Sequence, residues 1–423
     1  MGTFSLPSRR NTYFAILALV TLAIVPYLPF LSLPHISDDY LQIELGRKYG
    51  AMAGWSDLAA DALYRCRATS ILLTNWTERL FGISSNAFQA ESIALHIINT
   101  LLIAAFGAWS IVGWRLAVTA AGFFAVYEGH QEAVVWYAAV PELLVFLFAL
   151  LALHAWIHWL QAKRRAGLAY GAALGLFLLA LLSKESAVAV VPLMLGAAYW
   201  SGKPFRETLR ALVPFVGISV VYAVLIFTAK QTHLHLNDGT FSPTAPVAEV
   251  LLRSSSRLLW IWGLVALAFL GFHRLAAAAA VWILVTLLPY SFLSYMPHVP
   301  SRHVYFASAG LAFLVAGAMV KLWERVPNGR WAAVAMAGII VVHNCAYLWI
   351  KKYPQYERRA APTEKLLTFS EGVRGPLTLK CFPYSMEIAT LALQIQGGRN
   401  ADSTVLNPNA PNGDGVYCDT EQP

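Results

Sequence analysis

Charged residues are scarce in this sequence. Asp, Glu, Lys and Arg make up 13% of its 423 residues, about half of the roughly 25% typical of soluble domains. Because charged side chains keep a protein surface in water, this shortage excludes an ordinary soluble globular protein. Hydrophobic residues make up 58%, and they come in runs of about 20, the length that crosses the hydrocarbon core of a bilayer. Backbone groups in lipid must pair within their own segment, so the runs predict membrane-spanning helices.

Several familiar motifs are also absent. The sequence has no Walker loop, no Gly-x-Gly-x-x-Gly after a strand, no Cys-x-x-Cys and no His-Glu-x-x-His, so it gives no sign of the nucleotide or metal chemistry that these motifs carry. The net charge of +8 does not indicate nucleic-acid binding, because the basic residues lie in short clusters between apolar runs. We therefore expect membrane lipids, and no nucleic acid, among the partners.

The apolar runs predict an all-α integral membrane protein with about eleven transmembrane helices. The first run, Tyr13 to Leu33, is too long for a signal peptide and has no cleavage site of small residues, so it is expected to be retained. The closely spaced pairs near residues 113 and 184 could each be a re-entrant hairpin instead. The eleven predicted helices cover residues 13–33, 91–112, 114–128, 140–160, 166–182, 186–201, 208–229, 255–272, 275–295, 303–322 and 331–350.

The distribution of Lys and Arg predicts the orientation. With the N-terminus in the cytoplasm, every inside loop is basic, and Glu207 and Glu324 are the only acids in them, as the positive-inside rule requires. The long first loop, residues 34–90, and the tail, residues 351–423, are then extracytoplasmic.

The polar tail is expected to form a small separate region beside a transmembrane domain of residues 1–350. About 70 residues make a marginal core without a cross-link. Cys381 and Cys418 both lie in the tail, in an oxidising compartment on this topology, so we expect a disulfide between them. Cys66 is also outside and could compete, whereas Cys345 lies in a helix and is expected only to pack.

Two acidic segments outside the membrane are candidates for catalysis. Asp38 and Asp39 follow the first helix directly, and two adjacent carboxylates raise one pKa or capture a cation or a proton, as a general base must. Alternatively, Ser37 or Asp38 caps a helix that begins near Tyr40. The second segment, residues 128–137, has acids and no cation, so its acids could pair with Lys or Arg from another loop.

The basic candidates lie in two further loops. Lys184 and Glu185 form either a helix-end ion pair or part of a site, because ionisable groups at membrane depth usually mark one. Arg302 can bind a phosphate through two parallel N–H donors, or its side chain can extend to the membrane–water interface. His96 and Asn99 lie on one helix face, where a helix–helix hydrogen bond is the usual explanation.

The order of these motifs resembles the C-type (GT-C) glycosyltransferases, and within them the bacterial relatives of the protein O-mannosyltransferases and of the transmembrane/TPR (TMTC) mannosyltransferases. The resemblance covers residues 30 to about 320, and this sequence has no TPR repeats. The matching stretches are Asp38-Asp39, Leu95-His96-Ile-Ile-Asn99-Thr-Leu-Leu, His130-Gln-Glu132-Ala-Val-Val-Trp136, Leu182-Ser183-Lys184-Glu185-Ser186 and Ser301-Arg302-His303-Val-Tyr305-Phe-Ala-Ser-Ala-Gly310.

The resemblance implies a hexosyl- or pentosyltransferase of the cell envelope. It would take a sugar from a polyprenyl-phosphate donor and place it on a hydroxyl of a glycan, lipid or protein, at the outer face of the bacterial inner membrane. Some relatives use a divalent metal such as Mg²⁺ or Mn²⁺ and others do not, and Asp38 and Asp39 would be its ligands here.

The resemblance also implies roles for the motif residues. The implied catalytic residues are Asp38, Asp39 and Glu132, and the donor phosphate would be bound by Arg302 and Lys184. The implied supporting residues are His130, Glu185, His303, Tyr305, His96 and Asn99.

Two other classes of function fit a multi-pass membrane protein. A transporter or flippase predicts charges within the spans and pseudo-symmetric halves, whereas here the charges cluster in outside loops and no inverted repeat is visible. A non-catalytic subunit of an envelope assembly would keep its function without Asp38 and Asp39.

Overall fold

The computed structural model describes residues 9–162, 166–229, 231–232, 234–237, 239–271, 273–294, 297–411 and 413–420. Helices dominate these residues, and three short strands lie near the C-terminus. The helices of the N-terminal half are α1 Arg9–Ile24, α2 Asp39–Tyr49, α3 Trp55–Ala60, α4 Ala68–Phe81, α5 Ser85–Ala105, α6 Trp114–Val126, α7 Gln131–Val135, α8 Val140–Gln161, α9 Ala166–Leu181 and α10 Val190–Trp200. Those that follow are α11 Phe205–Thr228, α12 Leu234–Asn237, α13 Val247–Leu259, α14 Trp262–Leu270, α15 Arg274–Leu287, α16 Ser308–Arg325, α17 Gly329–Ala346, α18 Tyr353–Gly372 and α19 Met386–Ile395.

The chain is an all-α integral membrane protein in its overall construction, but the predicted count of eleven spans is not confirmed. Among the described residues, six helices are long and apolar enough to cross a membrane, or up to seven if one bent pair counts as a single span. Helices form in all eleven predicted regions. However, α6, α9 and α10 have 13, 16 and 11 residues, short of the roughly 20 that a straight crossing needs.

The single helix predicted at 255–272 is wrong. Two helices, α13 and α14, occupy this region and meet at an angle of 83°, with Ile261 between them at a positive φ of 61°. α13 also begins eight residues earlier than predicted, at Val247. Its charged residues, Glu249, Arg253 and Arg257, make it amphipathic, so a search for continuous apolar runs recognises only its last turn together with α14.

The last helical segment continues further than predicted. α17, a six-residue π-helical turn (Tyr347–Lys352) and α18 follow one another without a break, so the helix predicted to end at 350 extends to Gly372. At 1.5 Å per residue, this run of 44 residues is about 66 Å long, roughly twice the hydrocarbon thickness. The run is therefore longer than one crossing requires, and its second half, α18, packs against the C-terminal region through Leu366.

The C-terminal region has a small core of its own. Strands β1 Leu377–Cys381, β2 Thr404–Leu406 and β3 Val416–Cys418 form a parallel sheet with β1 in the centre. The buried side chains of Leu366, Leu377 and Leu393 join α18, the sheet and α19. Cys381 and Cys418 form a disulfide between the two paired strands, the same pair that we expect from the sequence. Cys66 and Cys345 are buried and free.

Candidate active site

Asp39 fixes the acidic loop in place. Its side chain is completely buried, and its two oxygens accept hydrogen bonds of 2.8 Å from the backbone N–H groups of Ile36 and Ala138. Burial raises the pKa of Asp39 to about 7, although these two N–H groups oppose the shift. A carboxylate held in this way ties the loop after α1 to the loop before α8, and it is not available to a substrate.

Asp38 is the accessible member of the pair. It precedes the first residue of α2, but its side chain makes no capping hydrogen bond. Ser37 donates to Oδ1 of Asp38 at 3.3 Å, so the capping interpretation is wrong. Partial burial raises the pKa of Asp38, while Ser37 and the charges of Arg302 and Arg359 oppose the rise. A carboxylate with a raised pKa, on which the charges of two guanidinium groups act, suits a general base.

The backbone in front of Asp38 is strained. Ser37 has a φ of 47°, in the left-handed region that costs a residue with a side chain roughly 1–2 kcal/mol. The bonds of Asp39 on one side and the packing of His35 on the other hold the loop in this conformation. Such strain is typical of functional sites, where the surrounding structure imposes one geometry.

Arg302 and Glu132 come together from two loops. Nη1 of Arg302 lies 2.6 Å from Oε1 of Glu132, and Glu132 also accepts bonds from the Ser301 hydroxyl at 2.8 Å and the Arg302 N–H at 3.2 Å. Burial alone would raise the pKa of Glu132, but the Arg302 charge and these bonds lower it below its ordinary value. Glu132 thus has a basic partner from another loop, and the guanidinium of Arg302 forms an ion pair with it.

Trp136 joins the acidic loop to the cations. Its indole N–H donates to the carbonyl of Ile36 at 3.3 Å. The guanidinium carbons of Arg302 and Arg359 lie 5.1 and 4.7 Å from the centre of its ring, within cation–π distance. Arg359, on α18, was missed in the sequence because it belongs to no motif. Its only signal there is the basic pair Arg358-Arg359 in a segment expected to be outside.

Lys184 and Glu185 do not pair with each other, so the helix-end ion pair is wrong. Lys184 binds the buried carboxylate of Glu142, which also contacts Nδ1 of His303 at 2.5 Å and accepts a bond from the Tyr290 hydroxyl at 2.6 Å. Glu185 pairs instead with Arg67 at 2.8 Å. The two neighbours therefore anchor the 182–186 turn to different parts of the fold.

The remaining motif residues form a polar layer inside the bundle. Tyr305 bonds through its hydroxyl to Nδ1 of His96 at 2.8 Å and Nδ2 of Asn99 at 3.3 Å. His130 bonds to the Ser308 hydroxyl at 2.6 Å. All five side chains are buried, so they hold helices together beneath the site, as the helix–helix interpretation of His96 and Asn99 predicts.

A cavity of about 490 Å³ adjoins the basic side of the site. Most of its wall is apolar and comes from α11, from Leu236, Thr240 and Phe241, and from residues 288–293. Its polar lining includes Arg67, Lys184, Arg302 and His303, and also Glu185, which pairs with Arg67. A chamber with an apolar wall and a cationic end suits an amphiphile with an anionic head.

The described carboxylates do not form a metal site by themselves. No group of three His, Cys, Asp or Glu residues among the described positions could hold a metal ion. Asp39 is buried with both oxygens bonded to backbone N–H groups, which leaves Asp38 as the one accessible carboxylate of the expected pair. We therefore derive no step through Mg²⁺ or Mn²⁺.

Comparison with solved structures identifies the fold. ArnT from Cupriavidus metallidurans, bound to undecaprenyl phosphate, matches with a TM-score of 0.52 at 12% identity, over 90% of this chain and 85% of ArnT. The oligosaccharyltransferase AglB from Archaeoglobus fulgidus, in complex with an inhibitory peptide and a dolichol-phosphate, matches with a TM-score of 0.50 at 11% identity, over 95% of this chain and 65% of AglB.

A third structure is the Archaeoglobus fulgidus oligosaccharyltransferase tethered to an acceptor peptide. It gives a TM-score of 0.45 at 11% identity and covers 87% of this chain. The chain spans only 58% and 65% of the two archaeal chains. No protein-family model matches the sequence, and no curated protein matches it. The chain has the GT-C-type fold that ArnT and AglB share.

Proposed function

We propose that the protein is a membrane glycosyltransferase that moves a sugar from a polyprenyl-phosphate donor to an acceptor hydroxyl at the extracytoplasmic face. One observation carries the proposal: Arg302 lines the apolar cavity and also lies beside the Asp38 loop through Trp136. This arrangement lets a lipid chain lie against the apolar wall while its phosphate reaches the basic end and its sugar faces Asp38. The similar ArnT structure has bound undecaprenyl phosphate and the AglB structure has bound dolichol-phosphate, which supports the same ligand class here.

The proposed reaction is a single displacement at the anomeric carbon. Asp38 takes the proton of the acceptor hydroxyl, the acceptor oxygen bonds to the anomeric carbon, and the bond from that carbon to the phosphate oxygen breaks. The electron pair leaves with the polyprenyl phosphate. A positioned carboxylate base typically accelerates such a step by about 10²–10⁴-fold, and cations beside the leaving phosphate stabilise its developing charge.

The other motif residues act through these two groups. Asp39 holds the loop that presents Asp38, Glu132 orients Arg302, and Glu142 places Lys184 at the basic end of the cavity. The N-terminus is proposed to lie in the cytoplasm and the C-terminal region outside, in a bacterial inner membrane. Donor sugars of both the hexose and the pentose classes fit this scheme, as do glycan, lipid and protein acceptors.

The test is mass spectrometry of envelope glycans and glycoproteins from the native host. A strain lacking the gene is compared with strains that carry the wild type, Asp38→Asn, or the control Asp57→Asn, an exposed acid in the same loop. We expect one sugar to be missing in the deletion strain and to return with the wild type and Asp57→Asn only. Full restoration by Asp38→Asn would refute the proposed base and favour a transporter or a scaffold.

A further inference from the structure

Arg359 is held beside the site by aromatic side chains. Its guanidinium carbon lies 4.7 Å from the ring centre of Trp136 and 5.3 Å from that of Tyr356. The Tyr384 hydroxyl also donates to the carbonyl of Arg359 at 2.6 Å. Stacking on ring faces orients a guanidinium, and the hydroxyls of Tyr356 and Tyr384 also hydrogen-bond to this side chain. The aromatic rings and these hydroxyls hold the guanidinium in place, and two such bonds do not use all five of its N–H donors.

The two arginines beside Trp136 differ in charge compensation. Arg302 has the carboxylate of Glu132 at 2.6 Å. No carboxylate among the described residues lies within ion-pair distance of Arg359. Lys352 lies near enough that the charges of Lys351, Arg257, Glu132 and Arg359 all act on it. The charge of Arg359 also acts on Asp38 and Asp39, so Arg359 influences the acidic loop without forming an ion pair with any described carboxylate.

The two arginines also differ in their relation to the cavity. Arg302 lines the cavity assigned to the donor, together with Lys184 and Arg67, whereas Arg359 and Trp136 are not among its lining residues. Trp136 contacts both guanidinium groups, and its N–H binds the loop that carries Asp38. On the proposed reaction, Arg67, Lys184 and Arg302 are the cations beside the donor phosphate, and Arg359 is available to the other substrate.

We propose that Arg359 binds an anionic group of the acceptor, a phosphate or a carboxylate, next to the hydroxyl that receives the sugar. The inference rests on the proposed transfer reaction and narrows its acceptor to acidic molecules. It also assigns a role in acceptor binding to the C-terminal region, because Arg359 lies on α18. A planar guanidinium suits both anions, since it forms two parallel hydrogen bonds with either.

The experiment is a transfer assay with the full-length protein in detergent micelles. Labelled donor lipid is extracted from the host, and membranes of the deletion strain supply the unmodified acceptor. Rates are measured against the amount of each substrate for the wild type, Arg359→Ala and Arg359→Lys. Arg358→Ala is the matched control, because Arg358 is exposed on the same helix. Arg359→Lys keeps the positive charge but removes the planar pair of N–H donors. It therefore remains informative if Arg359→Ala folds poorly.

We expect Arg359→Ala to raise the half-saturating amount of acceptor membranes at least ten-fold, with Arg359→Lys intermediate and Arg358→Ala unchanged. The half-saturating donor concentration should stay the same. Acceptor membranes are also treated beforehand either with phosphatase or with a carbodiimide and an amine, which remove phosphate and carboxylate charge respectively. One treatment should reduce wild-type transfer to the level of Arg359→Ala, and it identifies the anion.

Three results would overturn the inference. A higher half-saturating donor concentration in Arg359→Ala would assign the residue to the donor phosphate. The second result is that Arg359→Ala lowers the maximal rate and moves the acid limb of the pH–rate profile to higher pH, while the half-saturating amount of acceptor stays the same. That result would mean that Arg359 only maintains the charge of Asp38. Wild-type transfer that neither treatment reduces would exclude an anionic acceptor. No transfer by the wild type at all would instead refute the proposed function itself.

Discussion

The contact between Glu132 and Arg302 can be tested by a double-mutant cycle of Glu132→Gln and Arg302→Ala. Two unit charges about 4 Å apart near a protein surface interact by about 4 kcal/mol. The side chains are 15% and 23% exposed, so solvent screens part of this energy, and hydrogen bonds to charged groups contribute roughly 1.5–3 kcal/mol. We therefore expect a coupling free energy of about 2 kcal/mol in the free energy of unfolding.

The cycle is measured by unfolding the purified protein in mixed detergent micelles with increasing dodecyl sulfate. The control cycle uses Arg115→Ala and Glu324→Gln. That pair has a similar contact of 2.8 Å, but its side chains are 74% and 43% exposed, so its coupling should be at most about 0.5 kcal/mol. Additive effects of Glu132→Gln and Arg302→Ala, within about 0.5 kcal/mol, would refute the view that Glu132 acts by orienting Arg302.

The same pair predicts the effect of pH. The pKa of Glu132 is lower in the folded protein than its ordinary value of 4.5, so the unfolded chain binds the proton more tightly. The stability from this group is therefore fully present above about pH 4.5 and is lost as the pH falls through the lower, folded-state pKa. Glu132→Gln should remove this part of the pH dependence, whereas Glu324→Gln should not.

Three further predictions concern stability. Ser37→Gly should raise the free energy of unfolding by up to about 1 kcal/mol, because the cost of roughly 1–2 kcal/mol that a side chain brings at a φ of 47° exceeds the entropy of roughly 0.5–1 kcal/mol that glycine loses on folding; a loss of stability in the same unfolding assay would contradict the strain. Lys184→Met should lower it by about 3–5 kcal/mol, because Glu142 is left buried without its cation; an unchanged melting temperature would contradict this ion pair. Cys418→Ser should cost about 4 kcal/mol from the separation of 37 residues and expose the thiol of Cys381 to alkylation, detected as a mass increase; alkylation of both cysteines in the unreduced wild type would rule out the disulfide.

Helix positions were predictable because length and apolarity are local properties of the chain. The helix predicted at 140–160 is α8, Val140–Gln161. The same reasoning failed at α13 and α14, because an average of hydropathy does not distinguish a straight span from an amphipathic helix that turns by 83° into a second one. α6, α9 and α10 are shorter than a straight crossing needs, so the eleven apolar runs are not confirmed as eleven crossings.

Parts of the candidate site were also visible in the sequence. Asp38 and Arg302 stand out because each is an ionisable group beside an apolar run. Burying such a group in lipid is costly, so it usually lies in a functional site or at the membrane interface. Arg359 does not stand out, since it lies among several cations of a polar segment. Its importance depends on Trp136, more than 200 positions earlier, and no local pattern encodes that contact.

The membrane class, most helix positions and the acidic and basic loops follow from local properties of the chain, because burial in lipid acts on each segment separately. Which charges meet depends on how the helices pack. The tertiary structure buried Asp39 on the N–H of Ala138, left Asp38 accessible, and paired Glu142 with Lys184 and Glu185 with Arg67. The physical reason is that an ion pair depends on a separation of a few ångströms, and that separation is set by how the helices pack.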